Sequence, residues 1–275
     1  MTLAGRSHVG TVMTNTLVTL GLWVLSSAMP LSAAIAQTCS KQSPPHTIAL
    51  LELYTSEGCS SCPPADKFVS NLRNTGLHAD QVVPLSLHVD YWDYIGWKDP
   101  FGKRIFTERQ RWLSDLANTR TIYTPEIFVA GREVRNWASS WQGGVAASVK
   151  RINAQPARAD IGLTVGKVAS GGVPVEIDIK AAQGGKLFVA LYENGLATEV
   201  RAGENRGVTL KHDYVVRDWA GPIAVAGDGR DGKIKLKRSL AAPGNAVAKN
   251  LGVAAFVQSD KGEILQALSL PLCSE

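Results

Sequence analysis

Near residue 155 the apolar patterning of this 275-residue chain changes its period. Before that point, continuous apolar runs alternate with helix-spaced patterns. After it come short segments alternating polar with apolar, broken by glycine-rich turns. "NAQPARAD" (153–160), punctuated by Pro156, marks the boundary. In the first part, "TIALLELY" (47–54) has the near-continuous apolar character of a strand buried on both faces. Phe68, Val69 and Leu72 predict a helix over 63–74, and "QVVPLSLHV" (81–89) a second strand that Pro84 weakens at its beginning. Residues 103–117 form an amphipathic pattern with Ile105, Phe106, Trp112, Leu113 and Leu116 on one side. Arg109 and Gln110 interrupt that stripe and are expected on a solvated face, or paired with nearby acids. "PEIFVAGREVRNW" predicts a hairpin turning at Ala130-Gly131, and Trp141, Val145, Val149 and Ile152 a closing helix. The order is βαβαββα, with a parallel pair from the crossover and antiparallel neighbours from the hairpin. The second part holds seven or more strand-like segments in sequence, the pattern of an antiparallel sandwich.

The first 36 residues set the compartment. Arg6 precedes an uncharged stretch with an apolar centre from Leu17 to Leu25, a break at Pro30, and the small-x-small triplet Ala34-Ile35-Ala36. That order predicts a secretory signal cut before Gln37. The uncharged run is long enough to span a bilayer, but Pro30 and the small residues favour cleavage. A periplasmic or secreted, monomeric protein with no membrane span after cleavage is expected, in a location that permits disulfides. The net charge of +5 is mild for this length, and no Lys/Arg block is present, so nucleic acid is set aside as a partner. No cofactor is expected.

Four cysteines follow the predicted cut: Cys39, Cys59, Cys62 and Cys273. Three pairings exist in principle. The spacing favours Cys39–Cys273, which staples the two ends, and Cys59–Cys62. Zinc in structural sites commonly takes two C-x-x-C pairs, or one pair with two histidines. Only one pair and no H-x3–5-H spacing occur here, so no metal site is expected. Cys59 and Cys62 lie between a predicted strand and a predicted helix, which puts them at the carboxyl end of a parallel sheet, where α/β proteins place their sites. Helix N–H groups there favour a thiolate. Cys59 is then the attacking sulfur and Cys62 the one that releases a mixed disulfide. Pro63 disfavours helical backbone at Cys62 and opens the helix itself, leaving both cysteines on the loop. With no histidine at Ser60-Ser61, an ordinary thiol pKa is expected.

The βαβαββα order with C-x-x-C after the first strand resembles the thioredoxin fold, and Thr124-Pro125 before "EIFV" resembles the cis-proline element that faces its redox pair. More closely, "LYTSEGCSSCPPAD", "HVDYWDYIGWKDPF", "YTPEIFV" and "GENRGVTLKHDYVVRDW" resemble an exported domain-of-unknown-function family of bacteria and plants. The resemblance covers nearly all of the chain after residue 36. It implies an α/β thioredoxin-like domain (37–155) followed by an all-β, sandwich-like domain (156–275). It also implies a buried acid near the second cysteine, which Glu52 matches only after a one-residue shift. An outward-facing Glu52 is the alternative.

Around the pair, His88, Asp90 and Asp93 are the types that ligate a metal, and Tyr91, Trp92, Tyr94 and Trp97 are the types that line a peptide groove. Core packing and mutual satisfaction of His88 and Asp90 explain them equally simply. Glu204, His212, Arg217 and Asp218 are accounted for by turns and a satisfied sheet face. The leading functional reading is a thiol-disulfide oxidoreductase acting on protein thiols or disulfides. Cys59, Cys62, Thr124, Pro125 and Glu52 form its centre, and Asp90, Tyr91 and Trp92 its groove. Two others stand beside it: a binding module with a structural Cys59–Cys62 bridge, and a Cu(I) site of Cys59, Cys62 and His88, since soft thiolates select that ion.

Overall fold

The computed structural model describes residues 5, 7, 8, 10, 38–119, 121–139, 144–227 and 233–273. The leader expected over 1–36 lies outside them apart from isolated positions, as does Trp141. After a short strand β1 (Thr38–Gln42), two seven-residue runs in which every residue is buried set the centre of the molecule. These are β2 (Ala49–Thr55) and β3 (Val82–His88), paired in parallel with Leu51 opposite Pro84. Between them lies helix α1 (Pro63–Ser70), with Pro63 in its first turn and Cys62 at its cap. Helix α2 (Arg104–Leu116) precedes a hairpin of β4 (Glu126–Val129) and β5 (Arg132–Glu133), which pairs antiparallel with β2. Its turn uses Ala130 and Gly131, both at positive φ. Helix α3 (Val145–Asn153) closes this part.

The remaining strands are β6 (Ala159–Gly166), β7 (Gly172–Ala181), β8 (Gly185–Glu193), β9 (Leu196–Glu199), β10 (Thr209–His212), β11 (Val215–Val225), β12 (Lys233–Ala241), β13 (Leu251–Gln258) and β14 (Ile264–Pro271). They divide among three sheets. β1, β6, β7 and β12 form one antiparallel sheet, and β9 and β10 form a separate two-stranded ribbon. β7 alternates strictly: Val173, Val175, Ile177 and Ile179 point to the core, as period-two patterning requires. The exposed edge strand β12 carries Lys235 and Lys237, paired across to Asp178 and Glu176; charges of this kind discourage edge-to-edge association.

The third sheet corrects the expected fold class. Its order is β14-β13-β8-β11-β3-β2-β4-β5, so strands from both halves of the sequence form one eight-stranded mixed sheet. The protein is mostly β, with three α-helices among the described residues, and not an α/β thioredoxin-like domain followed by a separate sandwich. The joint is β11 beside β3, at the parallel pair Val215–Ser86. The Ser86 N–H donates to Tyr214 O at 2.8 Å and its hydroxyl to Asp213 O at 2.9 Å. The physical reason is burial. Without β11, the fully buried β3 would present an unpaired edge to water, and β11 covers it. Residues Ala36–Glu275 accordingly cluster as one compact unit. No helix among the described residues is long and apolar enough to cross a membrane.

Candidate functional site

Both predicted bridges are present: Cys39 is bonded to Cys273, and Cys59 to Cys62. The loop carrying the second begins where β2 ends. The Cys59 N–H donates to Ser56 O at 3.1 Å, Cys62 N–H to Cys59 O at 3.2 Å, and the first helical N–H groups of Ala65 and Asp66 to Cys62 O. Gly58 sits in a close approach, where a Cβ would meet Ile95 and Trp92 at 3.2 Å. Ser60 and Ser61 are exposed, whereas Cys59 and Cys62 both have no exposed surface. The sulfurs therefore point inward beneath their own loop.

Part of the cover comes from the distant 203–205 segment. Asn205 Nδ2 donates to Glu57 O at 2.8 Å and to Cys59 O at 3.0 Å, and the Ser60 N–H donates to Glu204 Oε2 at 3.0 Å. That bond holds the Glu204 carboxyl below its ordinary range. Gly203 packs against Ile95 and Trp97, with positive φ at that turn.

Thr124 and Pro125 stand against the loop, joined by a cis peptide. Ser61 Oγ donates to Thr124 O at 3.4 Å and lies 3.3 Å from the Cys59 sulfur, while Trp92 Nε1 donates to Thr124 Oγ1 at 2.7 Å. Tyr91 and Trp92 are half-buried against the core, and burial pushes the Tyr91 hydroxyl up to about 12. Asp90 pairs with Thr107 at 2.6 Å rather than with His88. Glu52 sits elsewhere. It is fully buried in a two-pronged ion pair with Arg109, at 2.5 and 3.1 Å, and Tyr54 OH donates to it as well. The expectation of a solvated Arg109 and Gln110 is thus corrected. Both are buried on α2, while Ile105 and Leu116 are each 40% exposed. Arg109 lies among the rings of Phe188, Trp219 and Phe256, and it turns the helix face toward its carboxylate partner.

Beneath the disulfide loop lies a polar cluster that sequence spacing does not announce. His88 Nδ1 lies 2.7 Å from Asp99 Oδ2. Asp99 also accepts the N–H groups of Glu57 and Phe101, each at 2.8 Å. Burial opposes ionisation of Asp99, but the charge and hydrogen bond of His88 together with these N–H groups win and hold its carboxyl below the usual range. His212 is 2% exposed and lies between Glu57 (3.3 Å) and Asp66 (3.4 Å). Burial pushes its imidazole down, and the Asp66 hydrogen bond with the adjacent carboxylates of Asp66 and Glu57 more than offsets this, leaving it at about 9. Thr55 Oγ1 donates to the other Asp66 oxygen at 2.9 Å, and Trp97 Nε1 to Glu57 Oε2 at 2.9 Å. The His88 and His212 rings meet edge to face at 4.9 Å, with Phe101 against both. The chain delivers His212 here because Tyr214, at positive φ, separates β10 from β11. Arg217 and Asp218 stay on the sheet, bound to Glu193 and to the Ala241 N–H. Of the four residues assigned to turns and sheet, His212 and Glu204 are the two that reach the site.

The family described as "Protein of unknown function (DUF1223)" matches residues 50–258. Comparison with curated proteins yields no match. Among solved structures, the chain is similar to protein AGR_C_4864 from Agrobacterium tumefaciens, a structural-genomics crystal structure, at 28% identity and a TM-score of 0.57, over 82% of this chain and 94% of that one. It is also similar in fold to HBP35 of Porphyromonas gingivalis at 17% identity and a TM-score of 0.57, over 82% of this chain and 76% of that one.

Proposed function

Because the chain belongs to the DUF1223 family, whose function is unknown, its role has to be argued from its own site. We propose that it is an exported binding protein in which the Cys59–Cys62 disulfide is a permanent fastener. The observation that carries this reading is the burial of both cysteines under the loop that Asn205 and Glu204 hold down. Thiol-disulfide exchange needs an incoming thiolate to reach a sulfur, and here the sulfurs face a packed interior. Two intramolecular bridges suit an oxidising compartment, as does the leader-like segment over 1–36. The recognition surface is the 91–94 stretch beside the disulfide loop, where Tyr94 is 82% exposed next to half-buried Tyr91 and Trp92. An exposed aromatic ring rimmed by polar groups is the kind of anchor a protein or peptide partner uses.

Thiol labelling of protein purified without reductant tests the reading. Cys59 and Cys62 are expected to remain unlabelled, and the bridge to have a reduction potential below about −300 mV, as inert structural bridges do. A mixed disulfide trapped by a Cys62→Ser variant would defeat it. That outcome would support the second reading, a thiol-disulfide oxidoreductase in which Cys59 attacks and Cys62 resolves beside Thr124-Pro125. The exposed Ser60–Glu204 contact favours that alternative, since the cover is one segment thick and its outer hydrogen bond is wet.

A further inference from the structure

The cluster beneath the loop holds more unpaired polar atoms than a closed hydrogen-bond network leaves. Among the described residues, five buried side-chain polar atoms have no hydrogen-bond partner, and three of them are here: Glu57 Oε1, His88 Nε2 and His212 Nε2. Glu57 Oε1 and His212 Nε2 lie 3.3 Å apart but are misaligned for a hydrogen bond. Leaving such groups unsatisfied is costly, so three in one place call for a common partner. One ligand atom from each of Asp66, His88 and His212 lies within 4.8 Å of the other two, and all three residues are buried.

The charges point the same way. Three carboxylates, Glu57, Asp66 and Asp99, surround two imidazoles, and among the described residues no lysine or arginine is bonded to any of the three. Asp99 has a particular place in this set. Its Oδ2, which already accepts the Glu57 N–H, lies 2.7 Å from His88 Nδ1, so Nε2 is the nitrogen directed elsewhere. A carboxylate behind an imidazole in this manner fixes the tautomer and orientation of metal-ligating histidines.

We propose that Asp66, His88 and His212 form a buried site for a divalent transition-metal ion, and that zinc is the ion its donors suit. Two imidazole nitrogens and one carboxylate oxygen are a three-ligand set of the kind used by zinc sites that keep a fourth position open. The same set is too nitrogen-rich for calcium or magnesium and lacks the thiolates that select Cu(I). Each imidazole ligates through its unprotonated nitrogen, so the ion displaces a proton only from an imidazolium. The ligands come from α1, β3 and β10, three separate parts of the chain, which is why no ligand spacing appears in the sequence. The site deepens the reading of the chain as a binding scaffold and rests on it: the disulfide loop, whose Glu57 lies 3.3 Å from His212, is one wall.

The test is titration of zinc into the full-length, oxidised, chelator-treated protein by calorimetry, with Co2+ as a visible-spectrum reporter of tetrahedral nitrogen/oxygen ligation. One ion per chain is expected, together with a rise in melting temperature on zinc addition. His212→Ala should bind at least about 100-fold more weakly, and Asp99→Asn about 10–100-fold more weakly, the range for loss of such a supporting carboxylate. His88→Gln, which keeps a polar side chain, replaces His212→Ala if the latter fails to fold. Absence of stoichiometric binding by folded wild-type protein overturns the site, and so does undiminished binding in His88→Gln. Either result with Cys59–Cys62 intact and unlabelled leaves the structural-bridge reading standing. Labelling of Cys59 alongside normal zinc binding overturns that reading alone.

Discussion

The Asn205 side-chain amide donates at once to the carbonyl oxygens of Glu57 and Cys59, at 2.8 and 3.0 Å. One residue far down the chain thereby fixes both the disulfide loop and the acidic side chain that enters the His212 cluster. Replacing it tests whether the cover controls access. Asn205→Ala leaves the buried Glu57 carbonyl unsatisfied and removes one of the two bonds to Cys59 O, so a loss of roughly 1–3 kcal/mol in denaturant stability is expected. Cleavage of the Cys59–Cys62 bridge by dithiothreitol should accelerate at least tenfold. An unchanged cleavage rate would show that the cover does not limit access.

The Glu52–Arg109 pair is held in a dry setting by Gln258 and a cage of rings. Removing one member strands the other. Arg109→Met should cost about 3–5 kcal/mol, and Glu52→Gln in the same chain should restore most of it. Urea denaturation of the single and double variants measures this. A double variant no more stable than Arg109→Met would show that the charge pair is not the source of the loss.

Glu126 follows the Thr124-Pro125 peptide and is buried against Gln110 and Ser114. Burial pushes its carboxyl from 4.5 up to about 7, with the Gln110 hydrogen bond opposing, the Glu133 charge adding, and Arg135 opposing more weakly. The folded protein therefore holds this proton more tightly than the unfolded chain does. The resulting stabilisation is complete below about pH 4.5, is lost as the pH rises to about 7, and is level above that. Its size is on the order of 3 kcal/mol. Glu126→Gln should flatten the stability curve across that window, and equal slopes in the two proteins would refute the assignment.

The Cys39–Cys273 bridge spans 234 residues of sequence. In the chain-entropy account, so long a loop stabilises by up to about 5 kcal/mol. Cys39→Ser with Cys273→Ser should lower the denaturation midpoint accordingly while leaving the Cys59–Cys62 bridge closed. A midpoint shift equivalent to less than about 1 kcal/mol would mean that β1 and β14 hold the ends without it.

Local signals carried part of this molecule in plain view. The buried runs of β2 and β3, the helix opening at Pro63, the turn at Ala130-Gly131 and the pairing of the cysteines follow from residue type and spacing. What spacing does not encode is which edge a strand chooses. β11 lies beside β3 through Val215 and Ser86, residues 129 positions apart, and no periodicity distinguishes that neighbour from another. The same blindness hid the cluster. His212 looks like an ordinary strand residue until the Tyr214 backbone breaks the strand, and Asp99 lies in a loop whose role depends on His88. Arg109 misled in the opposite way: a charged residue on a helix is read as wet unless its buried partner, 57 positions earlier, is known.

The seam at Val215–Ser86 also bears on how the chain is made. A ribosome delivers β3 well over a hundred residues before the strand that completes its flank. Until then a bare apolar border is available to any other nascent chain. A protein built this way should refold slowly in dilute solution because its decisive contact is so remote.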